Sequence, residues 1–135
     1  RGFTIVWGGT EIHPSASIGP GFCLVHSQKV VIGADVRIGR DVRISHGVSI
    51  GGDTGRGGPG EPVGSPVLGN DVTVSLDSII LGPVTVGDGA VVGAQALVVR
   101  DVPAFAVVAG SPARVVRIIE PESNLTESTN STGSR

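Results

Sequence analysis

The chain has 135 residues and a formal net charge of −2, so it lacks the basic surface that nucleic-acid-binding proteins usually carry. No apolar run approaches the roughly 20 residues of a membrane-spanning helix, and no secretory-signal pattern is visible. We therefore expect neither nucleic-acid binding nor membrane insertion. The 22 glycines, with no methionine or tyrosine, indicate a β-rich chain with many tight turns. The single cysteine, Cys23, cannot form an internal disulfide, which predicts a reducing, cytoplasmic location.

Residues 1–10 show no repeat and are predicted to be an N-terminal lead-in. From residue 11 onward, aliphatic residues recur every six positions, and a small or apolar residue often follows four positions later. This period fits neither an α-helix, which repeats about every 3.6 residues, nor a hairpin array. It predicts a solenoid of about four triangular coils, each built from three short strands. The repeating aliphatic positions are Ile12, Ile18, Leu24, Ile32, Ile38, Ile44, Ile50, Leu68, Val74, Ile80, Val86, Val92 and Val98.

The residue directly after the aliphatic position is often glycine, as in IGADVR and VGDGAV. Glycine adopts backbone conformations that other residues avoid. We therefore expect these glycines to provide the conformations that turn each corner of the coil.

The repeat is first interrupted between Leu24 and Ile32, where the spacing is eight residues instead of six. An insertion in a stacked coil must leave the coil as a loop, and such loops commonly carry function. His26 lies in this loop, two positions after Leu24, and His46 lies two positions after Ile44. Counting three repeats per coil places both histidines at one corner of consecutive coils, with their rings close together.

A second interruption covers residues 51–66, GGDTGRGGPGEPVGSP, and predicts one protruding loop. The repeat then resumes, so residues 11–119 are predicted to form a single solenoid domain. From residue 120 to residue 135 the sequence loses its apolar periodicity and is rich in Ser, Thr, Glu and Asn. This composition predicts a disordered tail.

The hexads, together with EIHPSASIGPGF, VHSQKVVIG, VSIGGDTG and GDGAVVGAQALVVRDVP in this order, resemble the hexapeptide-repeat acyltransferases, and among them the serine acetyltransferase branch. The resemblance covers about residues 11–117. It implies an all-β fold, a left-handed parallel β-helix. The left hand comes from the family alone, because the usual rule for parallel crossovers gives the opposite hand. The resemblance also implies a homotrimer with active sites between neighbouring subunits.

By this resemblance, His26 is a general base that removes the proton of an acceptor hydroxyl as the oxygen attacks the thioester of acetyl-CoA. His46 is predicted to tune His26 or to contact the acceptor, with an inert surface histidine as the alternative. Arginines near the C-terminal end suit the phosphates of CoA, although they could instead serve only solubility. The positions predicted to contact CoA are Leu76, Ala94, Arg100, Arg114 and Arg117.

Three departures from the serine branch bear on the acceptor. That branch has an acid directly before the catalytic histidine, where this chain has Val25, and often another acid where this chain has Ala34. Its arm carries Arg-His, where this chain has Gly64-Ser65. Such groups would bind the ammonium and carboxylate of an amino acid. We therefore expect a sugar or polysaccharide hydroxyl as acceptor, with serine O-acetylation or amino-sugar N-acetylation as alternatives.

Two further functions share this fold. The missing acids and arm histidine would also fit a non-catalytic trimeric scaffold. A zinc enzyme of the γ-class carbonic anhydrase type needs three converging histidines. The chain has three histidines in all, and His13 is predicted on a different face from His26 and His46. We therefore expect no metal.

Overall fold

The computed structural model describes residues 5–52 and 64–119. The start of the predicted lead-in, most of the predicted loop 51–66 and the predicted tail 120–135 lie outside the described residues. No helix within the described ranges is long and apolar enough to cross a membrane.

Short strands follow one another in the order that the six-residue repeat predicts. An N-terminal hairpin joins β1 to β2, four coils of three strands follow from β2 to β13, and an incomplete fifth coil ends in β16. The strands are β1 (Ile5–Trp7), β2 (Thr10–Ile12), β3 (Ser17–Ile18), β4 (Cys23–Leu24), β5 (Val31–Ile32), β6 (Arg37–Ile38), β7 (Arg43–Ile44), β8 (Ser49–Gly51), β9 (Val67–Leu68), β10 (Thr73–Val74), β11 (Ile79–Leu81), β12 (Thr85–Val86), β13 (Val91–Val92), β14 (Leu97–Val98), β15 (Ala106–Ala109) and β16 (Arg114–Ile118).

Three sheets form the faces of a triangular β-helix. Face 1 has the strand order β1-β2-β5-β8-β11-β14, face 2 has β3-β6-β9-β12, and face 3 has β4-β7-β10-β13-β15-β16. Equivalent strands of successive coils are parallel and in register, so that Leu24 pairs with Ile44, and Ile44 with Val74. Each coil therefore lies one interstrand spacing, about 4.8 Å, from the next.

The core consists of stacked aliphatic side chains from all three faces. Every repeat position from Ile32 to Val98 is buried, and burial of each such side chain stabilises the fold by roughly 1.5–3 kcal/mol. Ile12, Ile18 and Leu24 are only half-buried, because no coil lies below the first one. The predicted parallel β-helix of about four coils is confirmed.

The predicted role of the glycine after each aliphatic residue is wrong. Positive φ angles occur instead three residues before the next inward aliphatic, for example at Asp35 (φ 61°) and Asp77 (φ 57°). Asp tolerates this left-handed region because its side chain can hydrogen-bond locally. A Cβ on Gly39 would lie 2.6 Å from the carbonyl oxygen of Gly69 in the next coil. Gly39 is required because the backbones of successive coils approach closely at this point.

Antiparallel strands close both ends of the β-helix. At the N-terminal end β1 pairs with β2, and at the C-terminal end β16 pairs with β15. The repeat pattern predicts neither pairing. Antiparallel strands at these positions occupy the edges of faces 1 and 3, which would otherwise offer unpaired backbone groups.

Candidate active site

The site lies along the edge where face 3 meets face 1. We call this the histidine edge, and it comprises residues 25–30, 45–48, 75–78 and 93–96 in successive coils. His26 lies in the first of these segments and His46 in the second. The prediction that both histidines occupy one corner of consecutive coils is confirmed.

The eight-residue spacing produces a bulge in the first coil, residues 25–29. The Val25 N–H donates to the carbonyl of Ile44, and the Gly47 N–H donates to the carbonyl of Gln28, at 2.8 and 2.9 Å. Lys29 has the left-handed backbone conformation (φ 57°) that Gly47, Asp77 and Gln95 show at the equivalent corners of the following coils, three residues before the inward aliphatic. The two extra residues therefore fall between Val25 and Lys29, and they leave the turn itself unchanged.

The rings of His26 and His46 form an edge contact, with centroids 5.6 Å apart and planes at 67°. His26 is exposed and His46 is half-buried. The rings adjoin an open hollow of about 600 Å³. The residues that line this hollow are Leu24, Val25, His26, Ser27, Gln28 and His46.

No carboxylate lines this hollow within the described part of the chain. Val25 is half exposed at its rim. Ala34, the other position where an acid is missing, accepts a hydrogen bond through its carbonyl from the hydroxyl of Ser65, at 2.8 Å. This bond ties the end of the 51–66 segment to the second coil. Among the described residues, no acid lines the hollow beside His26 in place of those that the serine branch has at the positions of Val25 and Ala34.

Leu76 and Ala94 continue the histidine edge into the third and fourth coils. The carbonyl of His46 accepts from the N–H of Asp77, and the carbonyl of Leu76 accepts from the N–H of Gln95. His46, Leu76 and Ala94 therefore succeed one another at steps of about 4.8 Å. Both predicted CoA positions are exposed.

A row of mostly small residues runs beside this edge on the outer side of face 3. Each member donates its N–H to the residue before the next member, and the donor–acceptor distances are 2.8–3.0 Å. After Val25 at the bulge, the side chains are small enough for a narrow ligand to approach the backbone. The row consists of Val25, Ser45, Ser75, Gly93 and Ala109.

The row ends at β16, where a bulge brings two arginines to one face. Arg114 pairs with Ala109 and Arg117 pairs with Val107, while Val116 has no partner across the bulge. Directly paired residues point to the same side of a sheet. Without the bulge, residues three apart would point to opposite sides. Arg114 and Arg117 therefore share the outer side of face 3, and both are exposed.

Arg100 lies elsewhere, at the edge where face 1 meets face 2. It lines a hollow of about 170 Å³ at the C-terminal end of the β-helix, together with Arg114. Arg117 does not line this hollow. Arg114 therefore shares the outer side of face 3 with Arg117 and shares the C-terminal hollow with Arg100.

His13 lies at the edge between faces 1 and 2, away from the other histidines. Its Nδ1 is 2.8 Å from the hydroxyl oxygen of Ser15, which accepts from the N–H of Asp35. The prediction that His13 lies on a different face from His26 and His46 is therefore confirmed, and its network ties the first two coils together. Among the described residues, no group of three or more metal-ligating side chains comes together.

Two buried polar residues in or next to the histidine edge were not predicted from the sequence. Ser78 is fully buried, and its hydroxyl bonds to the carbonyls of Ser75 and Gly93, each at 2.8 Å. The signal was available, because Ser78 follows Val74 by four positions, where most other hexads have Val or Ala. Thr10, also buried, donates its hydroxyl to the carbonyl of Ser27. Nothing in the repeat pattern indicated that contact.

No protein-family model matches the chain. Serine acetyltransferase 2 of Arabidopsis thaliana is 41% identical over 116 residues, which cover 84% of this chain and 34% of the plant enzyme. The crystal structure of Neisseria gonorrhoeae serine acetyltransferase superposes with a TM-score of 0.77 at 34% identity, covering 88% of this chain and 44% of that chain. A serine acetyltransferase in complex with CoA gives a TM-score of 0.68 at 33% identity, covering 79% of this chain and 41% of that one.

The chain therefore spans less than half the length of each of these proteins. The predicted all-β class, a left-handed parallel β-helix, is confirmed. The chain belongs to the hexapeptide-repeat acyltransferase family, in which it resembles the serine acetyltransferase branch.

Proposed function

We propose that the protein is an acetyl-CoA-dependent O-acetyltransferase with His26 as its general base. The observation that carries the proposal is the position of His26. It stands on a bulge at an open hollow, on the same edge of the β-helix as Leu76 and Ala94. Similarity to serine acetyltransferases, one of them in complex with CoA, supports the reaction class.

In this reaction the imidazole of His26 accepts the proton of the acceptor hydroxyl while the oxygen bonds to the thioester carbonyl carbon. The tetrahedral intermediate then breaks its carbon–sulfur bond, and the proton passes from His26 to the sulfur of CoA. Imidazole suits both transfers because its ordinary pKa lies close to neutral pH. General base catalysis of this kind contributes a factor of about 10²–10⁴.

The donor would lie along face 3 beside the histidine edge. The small residues Ser45, Ser75 and Gly93 give its pantetheine arm a close approach to the backbone. Arg114 and Arg117, on one side of the sheet at the end of that row, would bind phosphate through their guanidinium groups. Arg100 would assist at the neighbouring hollow that it shares with Arg114.

Serine is the first candidate acceptor, because the relatives that cover most of this chain are serine acetyltransferases. The expected saccharide acceptor finds no support among them. It stays a second candidate for one reason, namely that no carboxylate lines the hollow beside His26 among the described residues. An acceptor without an ammonium group needs no such partner.

We also propose that the chain works as a homotrimer, as the resemblance implies. Four apolar side chains on the outer side of face 1 are about 40% exposed, and this face adjoins the histidine edge. Exposed apolar patches of this kind commonly mark protein interfaces. The four residues are Val31, Ile79, Leu81 and Val99.

The test is release of free CoA from acetyl-CoA with L-serine, a neutral hexose or an amino sugar as acceptor. We expect turnover with a hydroxyl acceptor, and serine to give the highest kcat/KM. His26→Ala should lower kcat by about 10²–10⁴, whereas the matched variant His13→Ala should not change it. A scaffold would release no CoA with any acceptor. Acetylation of the amino sugar alone, or full turnover by His26→Ala, would overturn the proposal.

A further inference from the structure

We propose that the β1–β2 hairpin holds the bulge of residues 25–29 in place, and that Thr10 is the residue that positions His26. This inference rests on the proposed role of His26 as the base. It concerns residues 8–10, which belong to the N-terminal hairpin and lie outside the repeat.

The hairpin turn lies directly beneath the bulge. Strands of face 1 begin at the histidine edge, and Glu11 of β2 pairs with Val31 of β5. Residues that precede β2 must therefore lie below residues that precede β5. The turn between β1 and β2 consists of Gly8 (φ 60°) and Gly9 (φ 83°), and two positive φ angles are typical of a two-residue hairpin turn.

The contacts between turn and bulge leave little free space. A Cβ on Gly8 would lie 3.0 Å from the hydroxyl oxygen of Ser27. A Cβ on Gly9 would lie 3.3 Å from the backbone nitrogen of Lys29. The turn thus packs against the bulge backbone on the C-terminal side of His26.

Hydrogen bonds fix the bulge from above and from below. From the second coil, the carbonyl of Ile44 accepts from Val25, and the N–H of Gly47 donates to Gln28. From the hairpin, the buried hydroxyl of Thr10 donates to the carbonyl of Ser27. The carbonyl of Ser27, the residue after His26, is therefore held by a side chain of β2, the second strand of the hairpin.

This arrangement compensates for a weakness of the first coil. Later corners are held between two coils, whereas the bulge has a coil on one side only. The hairpin takes the place of the missing coil. Without the Thr10 hydroxyl, the Ser27 carbonyl would lose its partner and the bulge could shift. A displacement of about 1 Å at a catalytic group can lower the rate by about 10².

The first experiment compares Thr10→Val, which keeps the shape and removes the hydroxyl, with Thr10→Ser, which keeps the hydroxyl. Thr85→Val, at an exposed position of β12, is the matched control. We expect Thr10→Val to lower kcat about 10- to 100-fold while the KM for acetyl-CoA stays within about twofold of wild type. Thr10→Ser should recover most of the kcat, and Thr85→Val should match wild type.

The second experiment records the imidazole resonances of the three histidines by NMR. Thr10→Val should shift or broaden the His26 signals and leave those of His13 unchanged. Gly9→Ala crowds Lys29 and keeps the hydroxyl of Thr10, and it should also shift or broaden the His26 signals. This variant replaces Thr10→Val in the experiment if Thr10→Val does not fold. Unchanged His26 signals in the folded variants, or an unchanged kcat in Thr10→Val, would overturn the inference. Full turnover by His26→Ala would overturn the proposed function alone, because the His26 signals report the contact without catalysis.

Discussion

His26 and His46 share one edge but have different surroundings. His26 stands on the bulge with its side chain exposed, whereas His46 is half-buried between coils. The backbone of His46 is also held, because its carbonyl accepts from the N–H of Asp77. An exposed imidazole can reach an acceptor more readily. This difference favours His26 over His46 in the proposed role of general base.

A pair of substitutions separates packing from proton transfer at His46. His46→Phe keeps an aromatic ring against His26, and His46→Asn removes it. An edge-to-face aromatic pair is worth about 0.5–1.5 kcal/mol. We therefore expect His46→Asn to lower kcat by up to about tenfold and His46→Phe to keep most of it. Steady-state kinetics provide the measurement, and a loss in His46→Phe as large as in His26→Ala would assign proton transfer to His46.

The sequence predicts the neighbouring histidines because their positions follow from counting repeats. It does not predict the contact of Thr10 with Ser27, because that contact depends on a hairpin outside the repeat. The role of Ser78 can be predicted from the sequence only in part. Its place in the hexad could have indicated a buried hydroxyl, but its two carbonyl partners appear only when the coils are stacked.

At the level of strands and turns, the glycines that follow an inward aliphatic residue differ in how closely neighbouring atoms approach them. Gly39 and Gly51 each follow an inward aliphatic residue, and neither has a positive φ angle. A Cβ on Gly39 would lie 2.4 Å from the side-chain oxygen of Asn70 and 2.6 Å from the carbonyl oxygen of Gly69. Around Gly51, no atom of the residues that the structure describes lies within 4 Å of such a Cβ.

Alanine substitutions at these two positions should therefore change stability in opposite directions. Gly39→Ala must push coils apart, and overpacking of this kind costs roughly 1–3 kcal/mol. Gly51→Ala meets no obstacle and should be neutral or stabilising by about 0.4–1 kcal/mol, since it restricts the unfolded chain. Thermal unfolding followed by circular dichroism measures both effects. A similar loss of stability in the two variants would show that conformational freedom, and not close approach, makes these glycines necessary.

The six-residue period predicts strand positions and inward side chains because both repeat with every hexad. The terminal strands β1 and β16 have no such regularity, and only the structure reveals them. The role of the glycines was predicted wrongly for a related reason. Their requirement comes from the coil above, about 4.8 Å away, and not from their own turn.

For the whole molecule, the outer surfaces of the faces differ in character. Face 1 exposes Val31, Ile79 and Leu81, whereas face 2 exposes Arg37 and Thr85 at equivalent outward positions. A protein that buried face 1 against neighbouring subunits would hide most of this apolar surface. It would also bring other subunits close to the histidine edge.

We therefore expect the wild-type protein to sediment at three times the mass of the chain. Leu81→Glu should dissociate this assembly, because it would place a carboxylate in an apolar interface. Val67→Glu, on face 2 at similar exposure (38% against 41%), is the control and should leave the assembly intact. Sedimentation velocity decides the matter, and a wild-type monomer or an unaffected Leu81→Glu would contradict the proposed interface.

Binding of CoA is the property on which the proposed reaction most directly depends. Calorimetric titration of the wild-type protein with CoA should show binding in the micromolar to sub-millimolar range. Arg117→Ala should weaken it by about tenfold or more, because a charge-assisted hydrogen bond is worth about 1.5–3 kcal/mol. Arg37→Ala, an exposed arginine on face 2, should have no effect. Absence of binding at millimolar CoA would contradict the assignment of this β-helix to acetyl transfer.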